Sequence, residues 1–443
     1  MMVSKHLSAC TTVLVGKKAS IDGSTMIARN DDTFLPLTPQ RFYVEPANDH
    51  QTGEWASNQN GFKAPLPKQA YRYSLTPNVE VDKEGVYAES GFNEKNVAMS
   101  ATESVYGNER ALAFDPLVKD GLAEDSLQSM VLPYIDSARD GVQYLGKLIK
   151  QYGSPEAIAA NQVAIQQVKF DDPDNFMYSD GIQEFVEKYH LNTDKQGFNF
   201  RHIFGTDNEK DRHYNTPRVW FGQKYLNPEI EQSPTSSNLP FICHTDHKIS
   251  VEDVEYILSS HYNETPYDPF SKGHEDTKTL FRPISMNRTQ NSHVLQIRND
   301  LKNNSNAIMW LCFGVPAFSP YVPFFANATD TDDTYANTPV HCDDVSAYWM
   351  YRKLSMLVES HYSEFIQDDV DFLTDMKEQL RRHVQSAIDE SQALKGEELT
   401  SYLTEQNHEV VKMMRIATEH FNHQLIEKGL TLSKLTFNMD KNL

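Results

Sequence analysis

A cysteine, an arginine and two aspartates lie within the first 32 residues of this chain. Cys10 opens a β-prone run, Thr11-Thr12-Val13-Leu14-Val15, and Ala28-Arg29-Asn30-Asp31-Asp32 closes a second run that starts at Ser24. The turn signal Asp22-Gly23 stands just before that second run, so the expected unit is a hairpin that begins at the cysteine and ends at the arginine and aspartates. A cysteine at a newly cut N-terminus can carry a whole reaction. Its thiol is the nucleophile, and its own freed α-amine is a base within reach. Arg29 beside that thiol would lower its pKa and raise the thiolate fraction. Asp32 would hold the new α-amine or receive the amine of a substrate. The plain alternatives are a buried cysteine in an edge strand and a surface ion pair of little consequence.

Composition bounds what such a site could serve. The chain has 443 residues, 39% of them hydrophobic, and a formal net charge of −21. That length can bury a large core, and the acidic balance argues against nucleic acid or anionic lipid as a partner. No apolar run approaches the roughly 18–20 residues of a membrane span. Leu7-Ser8-Ala9-Cys10 has the look of a lipoprotein processing site, but Met1 to His6 contains no apolar core for secretion, so residues 1–9 are expected to be a short leader that the protein removes itself. The four cysteines, Cys10, Cys243, Cys312 and Cys342, form no CxxC pair. They suit a reducing cytoplasm better than a disulfide scaffold. Cys243-His244-Thr245-Asp246-His247 fits no standard zinc spacing, and the chain has no GxSxG, P-loop or helix-opening GxGxxG, so no metal or cofactor is expected.

The elements that must position the hairpin divide the chain in three. After the leader, residues 10–345 mix strand and helix signals. Gly91 to Asn96 is a turn between two β-prone runs, and Ser137 with Asp140 reads as a capping box before Val142, Leu145, Leu148 and Ile149. Ala159 to Phe170 reads as a strand, Ser179 to Tyr189 and Val251 to His261 as helices, and Asn291 to Arg298 and Asn306 to Phe313 as strands, the last apolar enough to be buried on both faces. From residue 346 onward the pattern is helical over Tyr348 to Phe365, Val370 to Ser391 and Glu398 to Lys428. This gives an α+β class with stacked layers and a helical C-terminal region that either docks on the core or mediates association, a homo-oligomer included.

The quoted residues also carry a resemblance. Cys10 to Ala19 (CTTVLVGKKA) and Asp22 to Asp32 resemble the opening of the bacterial dipeptidase A family, which is distantly similar to penicillin V acylases and bile salt hydrolases. Gly91 to Glu103, Asp172 to Met177, Pro217-Arg218-Val219-Trp220, Ile257 to Tyr262, Arg282 to His293 and Pro316 to Pro323 resemble its later blocks. The resemblance implies an N-terminal nucleophile (Ntn) hydrolase, a four-layer αββα sandwich and cleavage of dipeptides. It implies Cys10 as nucleophile with Arg29 and Asp32 beside it, and Asn161 as the oxyanion-hole amide. The backbone N–H of Glu103 would be a second donor, and Arg288 a second active-site arginine. The chain departs from the family in one place. Members usually carry an extra pair of strands before the Asn161 strand, whereas here Gly153-Ser154-Pro155-Glu156 runs almost directly into Ala157-Ile158-Ala159-Ala160. The expected activity is a cytoplasmic dipeptidase acting through Cys10. The rivals are an N-acyl amide hydrolase and a non-catalytic protein that keeps the fold.

Overall fold

The computed structural model describes residues 10–102, 107–155 and 163–432. The expected hairpin is present as strands β1 (Thr11–Val15) and β2 (Thr25–Asp32), which pair antiparallel with Thr11 opposite Asn30 and Thr12 opposite Arg29. Its connection is tightened by Asp22, whose carboxylate accepts from the Ser24 amide at 2.9 Å, and by Gly23 at φ 75°. Only glycine enters that left-handed region without strain.

Four further strand pairs follow from short β-prone runs: β3 (Tyr43–Glu45) with β6 (Tyr73–Leu75), β4 (Glu54–Ala56) with β5 (Lys63–Pro65), and β7 (Ser90–Phe92) with β8 (Ala98–Ser100) are separate ladders, while β9 (Thr289–Ile297) joins β2. With β10 (Ala307–Phe313) and β11 (Val322–Phe325), β9 completes a five-stranded antiparallel sheet in the order β1-β2-β9-β10-β11. Gly91 in β7 lies so close to β6 that a Cβ there would meet the Ser74 carbonyl oxygen at 1.9 Å, which fixes glycine at this position.

The apolar strand β10 is buried along its whole length, as its composition predicts. The polar strand β9 is equally buried, because its side chains are satisfied within the site rather than by water. The helix Val251–Leu258 carries a full capping box between Ser250 and Asp253, and the helix Ala138–Tyr152 starts at Ser137, whose hydroxyl accepts from the Asp140 amide at 3.2 Å. The three C-terminal helices, Ala347–Ser360, Tyr362–Ser391 and Gly396–Leu432, share one apolar core with the five-stranded sheet. Asn407 closes the outer edge of β11, its amide bonding both the Phe325 N–H at 2.8 Å and the Phe325 carbonyl at 3.0 Å.

The structure corrects one expected element. The described part of the segment Ala159 to Phe170, from Val163 on, is not a strand: Gln167 makes an isolated bridge to Asn199, and Val168 bonds Phe198. Its alternating apolar residues lie against a turn-rich segment, and among the described residues no neighbouring strand extends the ladder.

Candidate active site

Strand register brings the reactive groups together. Because Thr11 faces Asn30, Cys10, one residue before β1, comes level with Asp31 and two residues from Arg29. Arg29 Nη2 donates to Cys10 Sγ across 2.6 Å, and both residues are almost fully buried, Arg29 at 1% exposure. The same nitrogen meets Asp31 at 3.4 Å, contacts Glu89 and lies 3.7 Å from Glu124. Glu89 precedes β7, and Glu124 opens the helix Glu124–Val131. One guanidinium therefore faces three carboxyls and a thiol. Four anions around one cation in a buried space cannot all be ionised.

The electrostatics follow from that crowding. Burial pushes the Cys10 thiol well up, Arg29 pulls it back, and Asp31, Glu89 and Glu124 push it up again. The expected lowering by Arg29 is present, but burial outweighs it. The thiol in this arrangement needs a base to become a nucleophile. Burial also holds Glu89 well above the usual carboxylate range, with Arg29 opposing and Glu124 and Asp31 adding to the rise. The sulfur of Cys10 and carboxylate oxygens of Asp31 and Glu89 all lie within 4.8 Å of one another, a spacing a metal could bridge. Arg29 Nη2 contacts all three, so the arrangement fits a guanidinium and leaves no place between them for a cation.

A shift of register between Asp31 and Asp32 re-aims the end of β2, so that both aspartates line the same cleft as Cys10. Asp31 accepts from Gln40 at 2.5 Å and from Asn291 at 3.2 Å. Asp32 pairs with Arg282 and accepts from Thr289 Oγ1 at 2.5 Å. His293 on β9 is buried between Ser100 at 2.9 Å and Asn291 at 3.0 Å. Burial, then the charge of Arg29, holds its pKa well below the ordinary value, so it is neutral. The cleft above this floor has a volume of about 170 Å³, and Phe34, Leu35, Lys83 and Tyr87 also line it.

Two arginines that sequence reasoning did not assign stand at Cys10. Arg218, in the helix Thr216–Leu226, donates to the Cys10 carbonyl oxygen and to Thr11 Oγ1, the latter at 2.8 Å. Burial and the like charge of Arg282 pull its pKa down to about 10. Arg282 is also within 3.5 Å of Thr11 Oγ1, and burial opposes its charge while Asp32 raises its pKa above the ordinary value. Both arginines stack on the Tyr214 ring, at 5.3 and 5.1 Å. Each neighbours a proline, Pro217-Arg218 and Arg282-Pro283, in the blocks quoted above, which was the available signal.

The remaining expected residues divide. Arg288 donates to the Thr33 carbonyl at 2.8 Å and to the Tyr214 hydroxyl at 3.0 Å. It stands behind Tyr214 and is not among the residues lining the cleft with Cys10. Asn161 and Glu103 lie outside the described residues.

Comparison with known proteins gives this geometry a context. Residues 9–159 and 156–375 match the family model of Peptidase family C69. The match comes in two pieces that overlap at residues 156–159, beside the place where the sequence is expected to lack a strand pair. The chain is 52% identical to a "Probable dipeptidase" of Latilactobacillus sakei, with 99% of each chain aligned. That alignment runs over 476 positions, more than the 443 residues here, so the relative carries residues where this chain has none. It is 36% identical to a "Probable dipeptidase B" of Lactococcus lactis subsp. lactis over 99% of each chain. It is 33% identical to a "Dipeptidase A" of Lactobacillus helveticus over 97% of this chain and 98% of that one.

Proposed function

The chain belongs to Peptidase family C69 and is a peptidase, and from that premise we propose that it hydrolyses dipeptides with Cys10 as an N-terminal nucleophile. The observation that carries this reading is the contact between Arg29 Nη2 and Cys10 Sγ at the floor of a cleft, one residue before the first strand. Relatives named as dipeptidases over nearly the whole chain support the substrate class.

In this reading residues 1–9 are removed when the Cys10 thiol attacks the preceding peptide bond. The freed α-amine then takes the thiol proton, which the raised thiol pKa makes necessary. The thiolate attacks the scissile carbonyl, and the oxyanion is received by the Asn161 amide and the Glu103 N–H. The C–N bond breaks as the ammonium returns its proton to the leaving amine. Water then cleaves the aminoacyl thioester, freeing the N-terminal amino acid and restoring the thiol. Arg29 steadies negative charge on sulfur, and Asp32, held by Arg282, shapes the amine side of the cleft with Asp31. Arg288 acts at one remove, through Tyr214. The same reading takes the five-stranded sheet as one half of an αββα sandwich, with the ladder β7-β8 against β2 and β9, and β3-β6 beside β7, as what remains of the other half. It places the protein in the cytoplasm, where cysteine thiols stay reduced.

The test is the mass of the purified protein with its activity on dipeptides and N-acyl amides. The mature chain should start at Cys10 and prefer dipeptides. Cys10→Ala should retain residues 1–9 and lose turnover. A Cys10→Ala protein that still cleaves dipeptides overturns the nucleophile, and a preference for N-acyl amides overturns the substrate class.

A further inference from the structure

We propose that Lys83 reads the free carboxylate of the substrate, the one on the leaving residue. The inference rests on the dipeptide reading above and goes beyond it. A dipeptide brings an ammonium group and a carboxylate at a fixed separation, and the cleft must meet both. Carboxyls are plentiful at the floor. Cations are not: among the described residues that line the cleft, two side chains are basic, Arg29 and Lys83. Arg29 is buried and already faces Cys10, Asp31, Glu89 and Glu124. Lys83 stands at the rim with its side chain 66% exposed, 3.4 Å from Glu80 and 3.5 Å from Glu84. Exposed pairs of this kind are weak, so the ammonium can turn to an incoming carboxylate without disturbing the fold.

The wall that carries Lys83 is tied to the catalytic floor. Gln40 Nε2 donates to Asp31 at 2.5 Å and to Asn78 Oδ1 at 3.2 Å. Asn78 Nδ2 donates to the Gly85 carbonyl at 3.2 Å, and the Asn78 N–H to the Val86 carbonyl at 2.9 Å. A chain of amides thus runs from Asp31, beside the thiol, to the segment immediately after Lys83. That segment is held in an uncommon shape. Gly85 has φ 81° and sits where a Cβ would come within 2.8 Å of the Gln59 side chain, and Tyr87, which also lines the cleft, adopts φ 40°. A bulky residue in the left-handed region is strained, and such strain collects at ligand clamps. A lone rim lysine on a mobile loop would not define a distance. A rim lysine on a braced wall does, and a fixed distance from thiol to ammonium is what separates a dipeptide from a longer chain.

The experiment compares kcat/KM for one dipeptide as the free acid and as its C-terminal amide, in wild type, Lys83→Met and Lys83→Arg, each with its N-terminus verified. Loss of a charge-assisted contact predicts that Lys83→Met lowers the acid-to-amide ratio by about tenfold or more, through KM, while Lys83→Arg largely restores it. An unchanged ratio in Lys83→Met overturns the assignment, whether both substrates lose rate equally or neither does. Cys10→Ala, run beside them, keeps the two questions apart. If it abolishes turnover while the Lys83→Met ratio stays at the wild-type value, the Lys83 assignment fails and the nucleophile stands. If it leaves turnover intact while Lys83→Met lowers the ratio, the nucleophile fails and the Lys83 assignment stands. A wild type that cleaves no dipeptide overturns both.

Discussion

Asp32 faces Arg282 in a buried ion pair, and its second oxygen accepts from Thr289 Oγ1 at 2.5 Å. The residue expected to greet an amine is therefore already held on both oxygens by elements some 250 residues further along the chain. Removing Arg282 strands that carboxylate in the interior. Arg282→Met should destabilise the protein by about 3–5 kcal/mol, read from chemical denaturation, whereas Asp32→Asn in the same background should recover part of the loss. Additive losses in the double variant would show that the pair is not coupled.

The thiol's chemistry should respond to its neighbours in opposite directions. Glu89 raises the Cys10 pKa and Arg29 lowers it. At a pH high enough to ionise Glu89, Glu89→Gln removes its anion, so the thiolate fraction rises, and alkylation of Cys10 by iodoacetamide should quicken by at least about threefold. Arg29→Met should slow it. The Cys10 peptide is followed by mass spectrometry, which separates it from Cys243 and Cys342. Slower alkylation in Glu89→Gln would contradict the crowding of carboxyls around Arg29.

How much of this was legible in the sequence depends on the range of the interaction. The hairpin was, because β-branched runs and an Asp-Gly turn act locally, and strand register then places Cys10 near Arg29 with no further information. Glu89, Glu124, Arg218 and Arg282 were not assigned, because each reaches the site from a distant element and nothing in its local pattern separates it from a surface charge. β9 shows the same limit from the other side. Its start, Thr-Gln-Asn-Ser-His, is polar yet buried, since Gln40, Asp31, Asn30 and Ser100 supply its hydrogen bonds. The segment from Val163 to Phe170 fails as a strand for a related reason: alternation predicts a pleat, but a pleat needs a partner.

The C-terminal helices meet the sheet through polar contacts at β9, from Tyr348 and Arg352, and at its β11 edge. Asn407, in the helix Gly396–Leu432, satisfies both the N–H and the carbonyl of Phe325 on edge strand β11. Asn407→Leu would leave two buried backbone groups unpaired, and an unmade buried hydrogen bond costs about 1–3 kcal/mol. The expected loss is about 2–4 kcal/mol in chemical denaturation. A loss below about 0.5 kcal/mol would mean that the edge finds other partners.

Glu255 gives the fold a pH dependence whose direction can be worked out. It is buried in the helix Val251–Leu258, and Lys377 of the helix Tyr362–Ser391 lies 3.5 Å from its carboxylate. Burial raises its pKa from an ordinary 4.5 to about 7, against the pull of Lys377 and, more weakly, Arg381. Below pH 4.5 the folded and unfolded chains both hold this proton. Between 4.5 and 7 the unfolded chain has released it and the folded chain has not, so the folded state binds more protons and its stability falls as pH rises. Above 7 both are ionised and the loss is complete. The shift corresponds to a loss on the order of 3 kcal/mol across that window. Glu255→Gln cannot ionise and should escape it, so the stability of the variant relative to wild type should climb between pH 5 and pH 8 when thermal or urea unfolding is followed at each pH. A difference that stays flat across that range would show that Lys377 compensates the buried carboxylate in full.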